Sequence, residues 1–347
     1  MSDVHCRTLM VNKGHLCRFI DTGNGLLDEL LSREVISPSD DNDIRSMPGY
    51  DEKARRLLDI LATKDDDAFD AFINALNETG QPHVIYILTG EISSQHQNEE
   101  RKSVPMSEEH WRALTVNSDQ LSKFMDTENG LLDRLLREDV ISFNDAQQTR
   151  YVSGFVAKTH KLIEVLTRKS EAAFDGFIEA LNETGQSHVT YMLTGEGNSR
   201  PLKEEYRKML TTKRDYLVQM IESKNSGLIT ALMRKEVFSE YDEQRVTGVQ
   251  PDTYYNRNEL ILNLIARKSQ SDFFKFLSAL NETDQTHVVV NIIGADVVNE
   301  SMILYESGAD RGHKHDVDEE LLEYLRELIQ RDGDFVRRVN RLSSYRL

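Results

Sequence analysis

The side chains that most often carry catalysis or bind metal ions are sparse in this sequence of 347 residues. Cys6 and Cys17 lack the CxxC spacing of a redox or zinc site, and in a reducing compartment both are expected to remain thiols. One histidine recurs before each of three similar apolar segments, as His83, His188 and His287. Because a metal site needs several converging ligands, a packing or helix-start role is expected for these histidines.

Motifs of the familiar enzyme classes are absent from the sequence. It contains no GxxxxGKS or GxxxxGKT nucleotide loop, no QACxG cysteine motif, no GxSxG and no HExxH. His313 and His315, in the segment GHKHD, are a weak metal-binding signal and are interpreted as part of a solvated linker. The sequence therefore predicts no catalytic activity, no cofactor and no metal ion.

The acidic charge of the chain limits the partners that it can bind. The net charge of −17 repels a phosphate backbone, so nucleic acid is not expected as a partner. The charge is graded along the chain: −8 for residues 1–92, −6 for 108–196 and 0 for 203–295. No apolar run approaches a membrane span and the N-terminal residues do not resemble a signal peptide, so a cytoplasmic protein without a membrane partner is expected.

A repeated segment determines the predicted organisation of the chain. Residues 69–91, FDAFINALNETGQPHVIYILTGE, and residues 174–196, FDGFIEALNETGQSHVTYMLTGE, are identical at 18 of 23 positions. A more divergent copy, FFKFLSALNETDQTHVVVNIIGA, spans residues 273–295. Upstream, GLLDELLSREVIS from Gly25 matches GLLDRLLREDVIS from Gly130. A repeat near 90 residues exceeds the units of common helical solenoids, so each copy is expected to be a complete domain.

These matches predict three domains, which we call modules 1, 2 and 3. The predicted segments are module 1 (1–92), a linker (93–107), module 2 (108–196), a short linker (197–202), module 3 (203–295), a polar linker (296–316) and a C-terminal helical segment (317–347). The longer linker is expected to let modules 1 and 2 bind separately. The shorter one predicts a closer association of modules 2 and 3.

Apolar residues within a module follow a helical period. Ala54, Leu57, Leu58 and Leu61 repeat at helical spacing, as do the apolar residues of 69–76. Glycine, proline and capping residues divide module 1 into six predicted helices, at about 7–21, 25–34, 38–46, 51–63, 67–78 and 81–89. The fold class predicted is therefore all-α, with additional helices at the C-terminus.

Two segments of module 1 strongly resemble the caspase recruitment domain (CARD) family. KARRLLDILATKDDDAFDAFINALNETGQPHVIYIL, from Lys53 to Leu88, resembles the fourth to sixth helices of these domains, and LLDELLSREVISPSDDNDI resembles the second and third. The resemblance implies three tandem six-helix antiparallel Greek-key bundles of the death-fold type. Module 3 departs from the pattern at VTGVQPDTYYNRNELI, where two residues are inserted and most of the basic residues of helix four are replaced.

The resemblance also implies a mode of binding, in which a basic face on the first and fourth helices meets an acidic face on the second and third. In this sequence the basic face would consist of Arg18, Lys53, Arg55, Arg56, Lys123, Lys158, His160, Lys161 and Arg257. The acidic face would consist of Asp28, Glu29, Asp40, Asp41, Asp43, Asp133, Glu138, Asp139, Asp145, Glu236, Glu240, Asp242 and Glu243. Mixed charge on helix surfaces is the alternative explanation for both sets, since exposed pairs contribute only about 0–1 kcal/mol.

Three functions fit this sequence. The first is a cytosolic adaptor that recruits CARD-bearing caspases or receptors in apoptosis or innate immunity. The second is a CARD-only decoy that caps or inhibits such assemblies. The third is a self-assembling scaffold whose modules touch only each other, with a dimer made by the C-terminal helices. The leucines of that segment span only two turns, which is too short for a heptad pattern to support the dimer: Leu321, Leu322, Leu325 and Leu328.

Overall fold

In the computed structural model, described for residues 2–90, 103–295, 297–298, 301–302 and 319–344, the chain folds into helices joined by short turns. Two compact units form: Met1–Thr184 with Leu193–Gly195, and Gly185–Met192 with Glu196–Leu347. No strand occurs in the described ranges, where two isolated β-bridges are the only extended pairings. The all-α prediction is confirmed.

Module 1 contains seven helices rather than the six predicted. They are α1 (Asp3–Val11), α2 (Lys13–Phe19), α3 (Leu26–Ser32), α4 (Pro38–Ser46), α5 (Tyr50–Leu61), α6 (Asp66–Glu78) and α7 (Pro82–Thr89). The predicted first helix is broken at Asn12, which has φ −90° and ψ 2° and whose side-chain amide donates to the Thr8 carbonyl at 3.1 Å. The Asn12 backbone N–H donates to the same carbonyl at 3.2 Å, and a new helix begins at Lys13.

The same pattern of helices occurs twice more along the chain. The second set is α8 (Glu108–Val116), α9 (Ser118–Phe124), α10 (Leu131–Arg137), α11 (Phe143–Tyr151), α12 (Phe155–Leu166), α13 (Glu171–Glu183) and α14 (Ser187–Thr194). The third set is α15 (Glu204–Thr212), α16 (Arg214–Met220), α17 (Leu228–Arg234), α18 (Glu240–Thr247), α19 (Tyr254–Ile265), α20 (Gln270–Glu282) and α21 (Thr286–Ile293). Most of α14 belongs to the second compact unit, together with module 3.

Each core forms because one stripe of every longer helix is apolar. In module 1, α2 and α4 pack against α5, and α3 packs against α6. Leu16, Leu57, Leu58 and Phe72 are completely buried there. At about 25 cal/mol per Å² of apolar surface removed from water, these contacts are the main stabilising contribution to the bundle.

Short polar motifs set the ends of the helices in all three modules. A capping box starts the fourth helix of each module: the Ser37, Ser142 and Ser239 side chains each accept from the backbone N–H three residues later, and the aspartate there accepts in return. The side chain of Gln81 fixes the start of α7 to the α2–α3 turn, since it accepts from Asp21 N at 2.8 Å and donates to Asp21 O at 3.0 Å.

The C-terminal segment forms α22 (Glu319–Arg331) and α23 (Gly333–Ser344) within the second unit. α23 packs against α21 of module 3, and Leu321, Leu325 and Leu328 are buried. These three side chains are therefore covered within the chain and offer no apolar surface to a second copy, and the dimer of the C-terminal helices stays a prediction. In the described part of the chain, no helix is long and apolar enough to cross a membrane.

Candidate interaction surfaces

The predicted acidic face of module 1 carries its own cations. Arg45 bonds Asp28 at 2.6 Å and Asp41 at 2.7 Å, and Arg33 bonds Glu29 at 2.7 Å. These side chains lie on α3 and α4 or beside them, and all except Asp41, whose side chain is 13% exposed, lie at the surface. The surface that these helices present is therefore a mosaic of both charges rather than a uniformly acidic face.

The predicted basic face on α5 is divided among three environments. Arg56 donates to Asp43 on α4 at 2.6 Å, so these two residues, predicted on opposite faces, lie side by side. Lys53 is half-buried, with its ammonium 5.6 Å from the Tyr50 ring centre. Arg55 is exposed and makes no ion pair with any residue that the structure describes. Arg55 is therefore the cation of α5 best placed to meet a partner.

Two of the predicted acidic residues lie in the interior. Asp145 is 4% exposed and bonds Lys169 at 3.0 Å, and Asp242 is fully buried and bonds Lys268 at 2.7 Å. Both are the reciprocal members of capping boxes, so their carboxylates point back into the module. The prediction that they bind partners is wrong. Their counterpart Asp40 remains partly exposed, 3.8 Å from Lys64.

The electrostatics of Asp145 are those of a structural ion pair. Burial raises the pKa of its carboxyl, but the Lys169 ammonium and hydrogen bonds from Ser142 outweigh burial, so the net pKa is lowered. For Asp40, hydrogen bonds from the Ser37 backbone and hydroxyl lower the pKa. Both groups stay ionised at neutral pH.

Modules 1 and 2 touch through Arg18, the last basic residue of α2. Its guanidinium bonds the Glu108 carboxylate at 2.8 Å and lies 3.8 Å from the Trp111 ring centre. Trp111, the lone tryptophan of the sequence, lies on α8 at the start of module 2 and forms the module 2 side of this contact. Arg18 was predicted to bind an outside partner, but here it is already used within the chain.

Tyr50 lies at the centre of the same contact. The Arg168 guanidinium covers its ring at 3.4 Å, and Lys161 donates to its hydroxyl at 2.7 Å. Arg168 is 8% exposed, and burial lowers its pKa. A guanidinium held over an aromatic face away from water is a strong form of the cation–π contact. Lys161, like Arg18, is therefore engaged by the chain itself.

Two of the three recurring histidines, His83 and His188, have the packing role expected of them. His83 at the start of α7 donates from Nε2 to the Arg168 carbonyl of module 2 at 2.7 Å. In the second unit, His188 at the start of α14 donates in the same way to the Arg267 carbonyl, also at 2.7 Å. Burial lowers the pKa of His83 to about 4, so the neutral ring makes this hydrogen bond at pH 7.

The other predicted residues of modules 2 and 3 are mostly held in local pairs. Lys158 pairs with Glu128, His160 lies 3.7 Å from Asp119, and Arg257 bonds Asp252 at 2.6 Å. On the acidic side, Arg150 bonds Asp133 at 2.5 Å and Arg134 bonds Glu138 at 3.1 Å. The exposed remainder consists of Lys123, Asp139, Glu236, Glu240 and Glu243.

Sequence reasoning missed the residues that join modules 1 and 2. Tyr50, Asn144 and Arg168 were not proposed as interface residues, although Asn144 donates to the Gly23 carbonyl at 3.1 Å. One signal was available, because a histidine that recurs at one position indicates a shared contact. The end of the predicted linker packs on module 2, because the Val104 carbonyl accepts from the Glu171 backbone, and modules 1 and 2 lie in one compact unit. Residues 93–102 of that linker lie outside the described residues, and separate binding by the two modules stays a prediction.

Metal ligands do not converge within the described ranges, where no group of three or more candidate side chains lies together. The two histidines of the GHKHD segment, His313 and His315, lie outside the described residues. The buried thiol of Cys17 has a pKa raised by burial, which disfavours the reactive thiolate.

Comparison with known proteins identifies the two better-matched modules. A model of the caspase recruitment domain family matches residues 6–91 and 111–196. No curated protein and no solved structure showed significant similarity to the chain. Domains of this family are death-fold bundles that mediate homotypic protein–protein interactions, typically in apoptosis and innate immunity. The chain, with its tandem matches, belongs to the caspase recruitment domain family.

Proposed function

We propose that this protein is a cytosolic adaptor that recruits and clusters caspases or receptors bearing caspase recruitment domains. The observation that carries the proposal is the pair of family matches on one chain. Two linked binding domains raise the effective concentration of each other's partners, so weak single contacts become strong together. The same reasoning extends to residues 203–295, which we propose as a third domain, because their seven helices have nearly the same lengths as those of modules 1 and 2.

Exposed charge on modules 1 and 2 supports a partner-binding surface distinct from the contact between them. Arg55 on α5 and Lys123 on α9 are exposed, whereas Arg18 and Lys161 are used within the chain. The exposed acidic residues Asp139 and Glu138 would meet the basic side of a partner. Complementary charge of this kind sets the register and speed of association more than its affinity.

Affinity capture from cytosol tests the proposal. The tagged full-length chain is compared with Arg55→Glu and with a matched control, Lys208→Glu, which reverses one exposed cation on module 3. The wild type and the control are expected to retain a CARD-bearing protein, and Arg55→Glu to lose at least about tenfold, equivalent to about 1.4 kcal/mol. Failure of the wild type to capture any CARD-bearing protein would contradict the adaptor role. Equal capture by all three would exclude Arg55 from the surface.

A CARD-only decoy is the second candidate. It is favoured by α19, the helix of module 3 that corresponds to helix four of the family, where Arg257 is the single basic residue and is held by Asp252 and by the Thr247 carbonyl. A module that offers few free cations could bind the growing end of an assembly without accepting the next domain. Adding the purified chain to an assembling CARD protein distinguishes the two candidates, since an adaptor increases and a decoy decreases polymer length.

A further inference from the structure

The contact between modules 1 and 2 contains a small cavity with polar walls. It is lined by Asp21, Gly23 and Tyr50 of module 1 and by Glu164, Val165 and Arg168 of module 2. The centre of a water-sized sphere has about 10 Å³ of space there. One water molecule needs about that volume, whereas sites for organic ligands usually have about 300 Å³ or more. The cavity can therefore hold a single small ligand.

Arg168 brings an unsatisfied donor to the wall of this cavity. This residue is 8% exposed, and among the described residues its Nη1 atom is buried without a hydrogen-bond partner. The other terminal nitrogen, Nη2, lies 3.4 Å from the Glu164 carboxylate, and the guanidinium covers the Tyr50 ring. Because a buried donor without a partner costs free energy, a polar atom is expected next to Nη1.

Asp21 provides the matching acceptor on the module 1 side. This residue is 7% exposed, and its Oδ1 atom accepts from the Gly23 backbone at 2.8 Å. Burial lowers the pKa of Arg168, and the negative charge of Asp21 is the largest influence that opposes this shift, so the two groups are close. No direct ion pair joins them among the described side chains. Opposite charges that are close but not in contact leave room for a bridging molecule.

The charges around the cavity favour a neutral ligand. The Arg168 guanidinium disfavours a metal cation, and the Asp21 and Glu164 carboxylates disfavour an anion such as chloride. A water molecule can accept from the guanidinium and donate to a carboxylate at the same time, and buried waters typically make about two to four such bonds. Water therefore matches both the donor and the acceptor on the cavity wall.

Gly23 leaves the space that such a molecule needs. Its backbone lies outside the left-handed region, and the corresponding residue of module 2 is Glu128, whose N–H makes the same bond to Asp126 at 2.9 Å. The turn itself therefore accepts a side chain. At Gly23, however, a Cβ atom would lie 3.3 Å from Asp21 Oδ1 and 3.6 Å from the Tyr50 ring, both on the cavity wall. The missing side chain is thus related to the cavity rather than to the turn.

We propose that this cavity is a binding site for one water molecule, which accepts a hydrogen bond from Arg168 Nη1, donates one to the Asp21 carboxylate, and fits because residue 23 is glycine. The water links module 2 to module 1 and supplies the partner that the buried guanidinium lacks. A bridging water is nearly as favourable in enthalpy as a direct hydrogen bond, so the guanidinium can stay over the Tyr50 ring. The site lies within the chain and is independent of the proposed function.

A high-resolution crystal structure of the full-length protein tests the site directly. The wild type is expected to show one ordered water within about 3.2 Å of both Arg168 Nη1 and an Asp21 oxygen. In Gly23→Ala the added methyl group should displace it. The matched control is Gly14→Ala on α2, where an added Cβ has nothing within 4 Å, and this variant should keep the water. A direct Arg168–Asp21 bond or an ion at this position in the wild type would overturn the proposal, and so would a water that persists in Gly23→Ala.

Amide hydrogen exchange at residue 168 measures in solution the effect of losing the water. Gly23→Ala should speed this exchange about tenfold, because Nη1 loses its partner, whereas Gly14→Ala should not speed it. In an Arg168→Met background the donor is gone, so Gly23→Ala should have little further effect. Equal acceleration in both backgrounds would mean that the methyl group only clashes with Tyr50, and it would overturn the proposal. Unchanged exchange in Gly23→Ala would overturn it as well.

Discussion

Modules 1 and 3 each contain an aspartate–lysine ion pair at the same position, but the two pairs differ strongly in their exposure to water. In module 1, Asp40 and Lys64 are 3.8 Å apart, and their side chains are 27% and 33% exposed. In module 3, Asp242 and Lys268 are 2.7 Å apart and only 0% and 9% exposed. The aspartates lie on α4 and α18 and the lysines in the turns after α5 and α19, and these helices have nearly the same lengths in both modules, so the difference does not arise from the helices themselves.

The chain that precedes module 3 explains the difference. Pro201 pairs with Ser269, next to Lys268, and Arg200 accepts a hydrogen bond from the backbone of Gln270 at 3.0 Å. Module 2 has the same arrangement, with Pro105 beside Ser170, and its pair is intermediate at 3.0 Å. When a neighbouring segment excludes water from an ion pair, removal of one partner leaves a buried unpaired charge, so the module depends on that pair for its stability.

The largest effect is expected for Lys268→Met. The substitution leaves the buried Asp242 carboxylate with Arg245, 3.8 Å away, as its nearest remaining cation, and should destabilise module 3 by about 3 kcal/mol. Hydrogen exchange of the α18 amides measures the local free energy of opening. Adding Asp242→Asn should recover part of the loss. A loss below about 1 kcal/mol would contradict the importance of burial for this pair, because a surface ion pair contributes that much.

The next effect is a pH dependence that belongs to the contact between modules 1 and 2. His83 has a folded pKa of about 4 against 6.5 when exposed, so between these values the unfolded chain takes up a proton that the folded chain excludes. Stability from this group is complete above pH 6.5 and falls by about 3 kcal/mol as the pH drops to 4. Hydrogen exchange of the α7 amides as a function of pH measures the loss. His83→Gln should remove this component, and parallel slopes for both proteins would exclude His83 as its source.

Tyr50→Ala and Tyr254→Ala compare the corresponding aromatic positions of modules 1 and 3. Tyr50 is covered by Arg168 and accepts from Lys161, so its loss should cost about 2 kcal/mol from the cation–π contact and the hydrogen bond together. Tyr254 is 44% exposed and should cost less than about 0.5 kcal/mol. Chemical unfolding of each full-length variant gives the two values. Equal losses would mean that the contact with module 2 adds nothing at Tyr50.

The smallest effect is expected for Lys64→Met. Its ammonium lies 3.8 Å from a partly hydrated carboxylate, and such pairs contribute less than about 1 kcal/mol. Hydrogen exchange of the α4 amides measures the local free energy of opening in module 1, as that of the α18 amides does in module 3. A loss as large as that of Lys268→Met would show that burial does not distinguish the two pairs.

Most of the local structure could be predicted from the sequence. The helices at 38–46, 51–63 and 67–78 agree closely with α4, α5 and α6, because strong caps and an apolar period specify them. The break at Asn12 was missed, since no glycine or proline marks it, and modules 2 and 3 break at the corresponding Asn117 and Lys213. Helix existence is set by many residues, whereas a helix boundary is set by one or two.

The candidate surface was predicted less well than the fold. The prediction that charged residues form exposed faces is correct for Arg55 and Lys123, which lie at the surface. It is wrong for Asp145 and Asp242, which are buried capping residues. Arg18 and Lys161 are surface-type residues that a second module covers. Spacing along a helix cannot distinguish these cases, because it does not record which other segment of the chain lies over that face.

The sequence alone therefore determined the all-helical modules, their tandem order and their family, since helix periodicity, caps and repeats are local properties of the chain. The tertiary structure decided which charges remain available, that His83 and Tyr50 join modules 1 and 2, and that the C-terminal leucines pack within the chain. The physical reason is that burial and pairing depend on contacts between residues far apart in sequence. The free energy of a charged side chain depends strongly on whether that side chain is buried and paired.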